Sequence, residues 1–378
     1  MKKVIIQVLP SLQQGGVERG TIEIAEALQK DGIENYVISE GGKMVPELER
    51  LGVEHITLPV KTKNPFKMWW NSYRLARVFR EKEVGLVHVR SRAPAWSVKW
   101  ACQQLGIPYI ASYHGRYGLK PRWLKEPYNR VMIQGEKVIA VSDFVRQHLK
   151  TEYQVPEEHI CLIPRGADLN KFNPDLMTNE KLKAFIEKYD IPTDKPIISL
   201  VGRLSRMKGH LVVLDALQKM KKKDVTVLFV GGNPKGDYEA RLNEKLKEIS
   251  PETTVKIFAV SGDEIPMIYA LSRVCVQPSL VPETFGRTIA EAQAMKRIVV
   301  AFAHGGACEL IKNEQTGFLT PVGEAESLAD AMDKVLAMSA SEREKIENQA
   351  RESVVADYSI QKMCERTLVL YRSFLDRI

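Results

Sequence analysis

Cysteine is scarce and scattered in this chain: five residues in 378, with no C-x-x-C pair among Cys102, Cys161, Cys275, Cys308 and Cys364. An odd, unpaired set argues against a disulfide framework or a zinc site and predicts a reduced, cytoplasmic protein. No apolar run reaches the 18 or more residues of a membrane span, and no signal-like segment is expected ahead of the strand-like stretch "KKVIIQVLP". D-x-D is absent, and with it the usual carboxylate pair for a catalytic divalent metal, so no metal ligands are expected. G-x-G-x-x-G is absent as well; "QQGGVERG" has the wrong spacing, which counts against a nicotinamide dehydrogenase. "GGKM" lacks the hydroxyl residue of a Walker A loop. No nucleic-acid-binding motif is visible, so nucleic acid is not an expected partner.

What is present is an ordinary globular composition, 44% hydrophobic and 7% aromatic, in a chain long enough for two domains. Its charge is lopsided. Residues 1–165 carry 25 Lys+Arg against 17 Asp+Glu, a balance of +8, whereas residues 166–378 carry 30 of each. A basic half predicts an anionic partner. Strand-like runs such as "VIIQVLP", "GLVHVR" and "PYIASYH" alternate with helical patterns, and the alternation restarts at "PIISLVG" after a polar stretch. That rhythm predicts two parallel sheets covered on both faces, an α/β chain of two Rossmann-like domains. The expected domains are 1–168 and 169–358, with a final amphipathic helix, 359–378, packing back on the first.

Open parallel sheets bind ligands at the carboxyl ends of their strands. Here those ends are rich in glycine and cations: Gly15-Gly16, Arg90-Ser91-Arg92, His114, Gly202-Arg203 and the stretch "PETFGRTIAEAQAM". In the last, Glu283 and Glu291 flank a predicted helix start. Unpaired N–H groups near Phe285, Gly286, Arg287 and Thr288, with Thr284 just ahead, make a seat for phosphate. Glu291, among alanines, needs donors, and a pair of ribose hydroxyls supplies two. Glu283 can accept from another sugar. In "VGRLSRMKGH", Arg203 and Lys208 can both reach one diphosphate and offset charge on a departing nucleoside diphosphate. The pattern reads as a nucleotide-sugar site.

At this point the chain resembles a known family. "PETFGRTIAEAQAM" is similar to the E-x7-E motif of retaining glycosyltransferases with the two-domain GT-B fold, specifically family 4, and "VGRLSRMKGH" resembles that family's diphosphate segment. "LPSLQQGGVERGTIEIAEAL", "VIAVSDFVRQHL", "LIPRGADLNKFNP" and "GGACELIKNEQTGFLTPVGEAESLADAM" extend the likeness over nearly the whole chain. The resemblance implies two facing domains with a cleft between them and a UDP- or GDP-linked donor, with no cofactor. It assigns Glu291 to the ribose, Glu283 to the donor sugar, and Arg203 and Lys208 to the diphosphate. It lets Gly15 and Gly16 close on donor and acceptor and sets His114 beside the reacting sugar, with anomeric retention and without metal.

"HVRSRAPAW" resembles a subset of bacterial envelope and lipopolysaccharide enzymes; Arg90 and Arg92 would then grip an anionic glycan or glycolipid acceptor. The segment "NPFKMWWNSYRLARVFR" interleaves Phe66, Trp69, Trp70 and Tyr73 with Lys67, Arg74, Arg77 and Arg80. Such a helix either lies on an anionic membrane, on the inner face of the cytoplasmic membrane, or turns its aromatics to the core. A nucleotide-sugar 2-epimerase of the same architecture is the alternative reading.

Overall fold

The computed structural model describes residues 4–13, 15–115, 117, 121–232 and 236–377, and of residues 122 and 124 the backbone alone. The chain divides into two compact units, residues 1–164 with 361–378, and residues 165–360.

The first unit is built on seven parallel strands: β1 (Val4–Val8), β2 (Asn35–Ser39), β3 (Glu54–Thr57), β4 (Val84–Val89), β5 (Tyr109–Tyr113), β6 (Lys137–Ala140) and β7 (Ile160–Leu162). Their order is β3-β2-β1-β4-β5-β6-β7, so the direction of winding reverses between β1 and β4. The helices between them are α1 (Gly16–Lys30), α2 (Val45–Arg50), α3 (Pro65–Glu81), α4 (Arg92–Leu105), α5 (Arg122–Arg130) and α6 (Asp143–Tyr153). β1, β2, β4 and β5 are buried along their whole length, which is why they read as unbroken apolar runs. Local chemistry sets the helix ends. Pro65 follows Asn64, whose side chain accepts from the Lys67 amide, and Ser142 caps α6 through the Val145 amide.

The second unit carries α7 (Asn179–Tyr189) and six parallel strands: β8 (Ile197–Val201), β9 (Thr226–Val230), β10 (Thr254–Phe258), β11 (Val274–Gln277), β12 (Val299–Phe302) and β13 (Phe318–Thr320). Their order is β10-β9-β8-β11-β12-β13, and the reversal falls between β8 and β11. Its other helices are α8 (His210–Lys219), α9 (Asp237–Leu246), α10 (Ile265–Leu271), α11 (Arg287–Ala294), α12 (Ala307–Leu310), α13 (Ala325–Ala337) and α14 (Ala340–Asp357).

The last helix, α15 (Ile360–Leu375), packs in the first unit, where Tyr371 Oη lies 2.5 Å from His88 Nδ1 and the other ring nitrogen meets Ser112 Oγ at 2.6 Å. Residues 165–168, grouped with the first half by sequence alone, belong to the second unit. The reason is a backbone clasp: the Ala167 amide donates to Tyr358, and the Ile360 amide donates back to Ala167. The architecture is GT-B, two Rossmann-like α/β domains. Among the described residues, no helix is long and apolar enough to cross a membrane.

Candidate active site

In the second unit the predicted residues gather where the winding reverses. β8 and β11 are hydrogen-bonded neighbours, so the loops leaving them lie side by side. Lys208, on the turn after β8, reaches Glu283, on the loop after β11: Nζ to Oε1 is 2.6 Å, and Ser279 Oγ donates to the same oxygen at 2.5 Å. Arg203, at the end of β8, is exposed and has no carboxylate partner among the described residues.

Helix α11 begins at Arg287, capped by Gly286 in the left-handed region (φ 95°), a conformation that favours glycine. The Ile289 and Ala290 amides both donate to the Gly286 carbonyl, and the amides of Arg287 and Thr288 precede that first bond. No acidic residue occupies the helix's first turn. Thr288 Oγ1 is buried and lacks a hydrogen-bond partner among the described residues. Phe285 is a core residue, its ring near Tyr358, while its backbone lies against Gly306 so closely that a Cβ there would sit 2.0 Å from the Phe285 carbonyl oxygen. The Gly306 amide donates to the Glu283 carbonyl at 2.8 Å, tying the loop down. Thr284 lies between the two, partly buried.

Glu291 is 7% exposed. Arg287 Nε donates to its Oε1 at 3.1 Å and Tyr269 Oη to its Oε2 at 3.4 Å. Burial raises the carboxyl's pKa above its ordinary value, against the pull of Arg287 and Lys171. The site is thus a helix start with open amides, set between two carboxylates that are each held by a neighbouring cation. No three His, Cys, Asp or Glu side chains among the described residues gather into a metal site.

In the first unit, Gly15 and Gly16 form the start of α1, and a Cβ at Gly16 would meet nothing within 4 Å. His114 follows β5 directly and is partly buried. Arg92 Nη1 donates to Asn129 Oδ1 at 2.7 Å, and its guanidinium stacks on the Tyr117 ring at 3.7 Å.

Residues 183–353 match the family model for glycosyl transferases group 1, and residues 14–171 that for glycosyltransferase family 4. A crystal structure of a glycosyltransferase from Rickettsia africae is 38% identical, with a TM-score of 0.92 over 99% of each chain. The chain belongs to the group 1 glycosyltransferases. Further relatives of the enzyme agree: an uncharacterized glycosyltransferase, MJ1607 of Methanocaldococcus jannaschii, is 25% identical over 95% of this chain and 94% of its own. Anabaena HepE, solved in complex with UDP-glucose, shares the fold with a TM-score of 0.81 and 22% identity, covering 99% of this chain and 100% of its own.

For this glycosyltransferase one predicted acceptor residue needs correction. Arg90 is only 3% exposed. Its Nη1 donates to Gln7 Oε1 at 2.8 Å, and Glu23 of α1 with Tyr371 and Cys364 of α15 surround its charge. Burial lowers the guanidinium's pKa, so Arg90 holds the interior of the first unit together and is not an acceptor contact. Sequence reasoning also missed Ser279 and Tyr269, which hold Glu283 and Glu291. Ser279 carried a signal, since it stands two residues past β11. Tyr269 carried none, being an aromatic in a short apolar helix.

Proposed function

We propose that this glycosyltransferase moves a sugar from a UDP- or GDP-linked donor to a hydroxyl of a cell-envelope glycan or glycolipid such as lipopolysaccharide core. The proposal includes retention of configuration and independence from metal. The observation that carries it is the open α11 start between Glu283 and Glu291, with Lys208 bonded to Glu283 and Arg203 exposed at the end of the neighbouring β8. Arg203, Lys208 and the amides of Gly286, Arg287 and Thr288 take the diphosphate, Glu291 the ribose and Glu283 the donor sugar. Lys208, paired with Glu283, is shared with the diphosphate of the donor. Gly15 and Gly16 give the first unit's backbone close access to donor and acceptor, and His114 stands beside the reacting sugar.

The chemistry is a same-face substitution. The bond between the anomeric carbon and the phosphate oxygen breaks, the acceptor hydroxyl oxygen bonds to that carbon, and its proton passes to the leaving diphosphate. Cations at the diphosphate stabilise the charge that develops there. HepE's complex with UDP-glucose supports the choice of donor class. A second observation favours a membrane-borne acceptor. The exposed face of α3 carries Phe66, Trp69, Trp70 and Tyr73, which supports a seat on an anionic bilayer.

Thermal shift with UDP, GDP and their sugars, with and without chelator, tests the site. One nucleotide series is expected to stabilise the protein by about 3 kcal/mol at a hundredfold excess over Kd, equally in chelator. Lys208→Ala and Glu291→Ala should remove most of the shift; its survival in both variants would overturn the assignment. Product analysis separates a lengthened glycan from the epimerised sugar of a 2-epimerase.

A further inference from the structure

Beside Arg92 the first unit holds a cavity of 590 Å3, lined by Lys63, Ser91, Arg92, Lys125, Tyr128 and Asn129. It lies at the carboxyl end of β4, next to the strand reversal, where the loop before α3, the start of α4 and the body of α5 meet. Three of its side chains are cations and none is a carboxylate. Neither Lys63 nor Lys125 has an ion-pair partner among the described residues. Arg92 gives one donor, Nη1, to the neutral Asn129 and sets its face on the Tyr117 ring. Glu126, adjacent in sequence to Lys125, is engaged by Arg130 at 2.8 Å. Three uncompensated cations around one concavity repel one another, and an anion relieves that repulsion.

Two further features point the same way. Helix α4, 14 residues long, starts at this cavity with no side-chain cap from Ser91 and no acid in its first turn, so its positive end is uncompensated. Asn129 is fully buried, and while its Oδ1 accepts from Arg92, its Nδ2 donor has no hydrogen-bond partner among the described residues. A buried donor without an acceptor costs free energy unless a ligand supplies one. Helix amides, two ammonium groups, a guanidinium and a buried amide N–H are more donors than the two oxygens of a carboxylate can use. They suit the three terminal oxygens of a phosphate monoester.

We propose that this cavity binds a phosphate monoester carried by the acceptor, so that Lys63, Arg92 and Lys125 select a phosphorylated acceptor over its neutral counterpart. The volume is that of a small-molecule site and accommodates a hexose ring together with its phosphate. This inference rests on the glycosyltransferase reading of the second unit, and the test keeps the two apart by saturating the donor site first.

Calorimetric titrations on the full chain, with UDP saturating, compare glucose 6-phosphate, glucose and dihexanoyl phosphatidic acid in wild type and in the Lys63→Gln/Lys125→Gln double variant. The first probe represents a soluble sugar phosphate and the last a lipid headgroup. One phosphate probe is expected to bind wild type at least tenfold more tightly than glucose, and which one does so identifies the source. The double variant should bind that probe about tenfold more weakly and UDP unchanged, and its retained UDP affinity shows that it is folded. Equal binding of glucose and both phosphates overturns the proposal, as does a double variant that binds the phosphates as well as wild type does. A wild-type protein that binds the phosphate but no nucleotide overturns the donor assignment and leaves the cavity's standing.

Discussion

Glu291 sits where a carboxylate is expensive, inside an alanine-rich helix and nearly sealed from water. Sequence alone marks it as needing partners and suggests ribose hydroxyls. In the structure Arg287, one turn back, and Tyr269 donate to it. Tyr269 was illegible because its contact spans 22 residues and two helices. Arg90 misled for a related reason. Two arginines two residues apart look alike in sequence, yet Arg90 ends a strand and points among α1 and α15, whereas Arg92 opens a helix. Because burial raises the Glu291 pKa, the folded chain binds that proton more tightly than the unfolded chain does. The carboxyl's contribution to stability is therefore full at acid pH and is lost as pH rises through the folded pKa. Glu291→Gln removes the buried charge, so at pH 7 its Tm should stay level or rise by about 2–4 °C. If the carboxylate holds the donor's ribose, kcat/KM should fall roughly tenfold to a hundredfold. A lowered Tm, or unchanged kcat/KM, would contradict this trade of stability for binding.

At the scale of elements, the strand and helix alternation was legible because parallel strands buried on both faces have no polar alternation to blur them. Helix ends were less so. The segment "TFGRTIAEAQAM" reads as one helix, yet α11 begins only at Arg287 because Gly286 turns left-handed. The start of α8 hides a feature that sequence could not rank. His210, next to the Lys208 turn, is fully buried, its ring edge-on to Phe229 at 5.0 Å. Burial pushes this imidazole down to about 4, with the Lys208 charge acting in the same sense. It is therefore neutral when folded. Between pH 6.5 and about 4 the unfolded chain takes up a proton that the folded chain refuses, so stability falls with pH across that window and levels off below it. From pH 7 to 4.5 the loss from this group should be about 2–3 kcal/mol. Urea unfolding of wild type and His210→Leu at both pH values measures it as the difference between their losses. Parallel losses would show that His210 does not carry the effect.

For the whole molecule, composition disclosed two domains and a basic first half, but not the exact place where one unit gives way to the other. The clasp between Ala167 and residues 358–360 joins positions nearly two hundred apart, and no local pattern announces it. The sequence of helix α3 leaves two alternatives open, membrane-facing or core-facing aromatics, and the fold turns the aromatics away from the core. Its inward face is Met68, Ser72, Leu75, Ala76 and Phe79, so the core is filled without the aromatics. Phe66, Trp69, Trp70 and Tyr73, at spacings of three and four, form a second stripe on the outside, 83%, 51%, 57% and 46% exposed. Water is a poor solvent for that stripe, and the surrounding Lys67, Arg74 and Arg80 make an anionic bilayer a better one than a neutral bilayer. The two contributions respond differently to salt: charge attraction is screened over about 10 Å at 0.1 M, whereas aromatic insertion is not. In co-sedimentation, wild type should pellet with vesicles containing anionic lipid at low salt and be partly released at high salt. Trp69→Ala/Trp70→Ala should weaken binding at every salt concentration without lowering Tm, because both rings are exposed. Lys67→Gln/Arg74→Gln should weaken it at low salt only, since each cation near the surface is worth about 1 kcal/mol there. If wild type fails to pellet with anionic vesicles at low salt, the stripe is not a membrane seat, and the acceptor must reach the enzyme from solution.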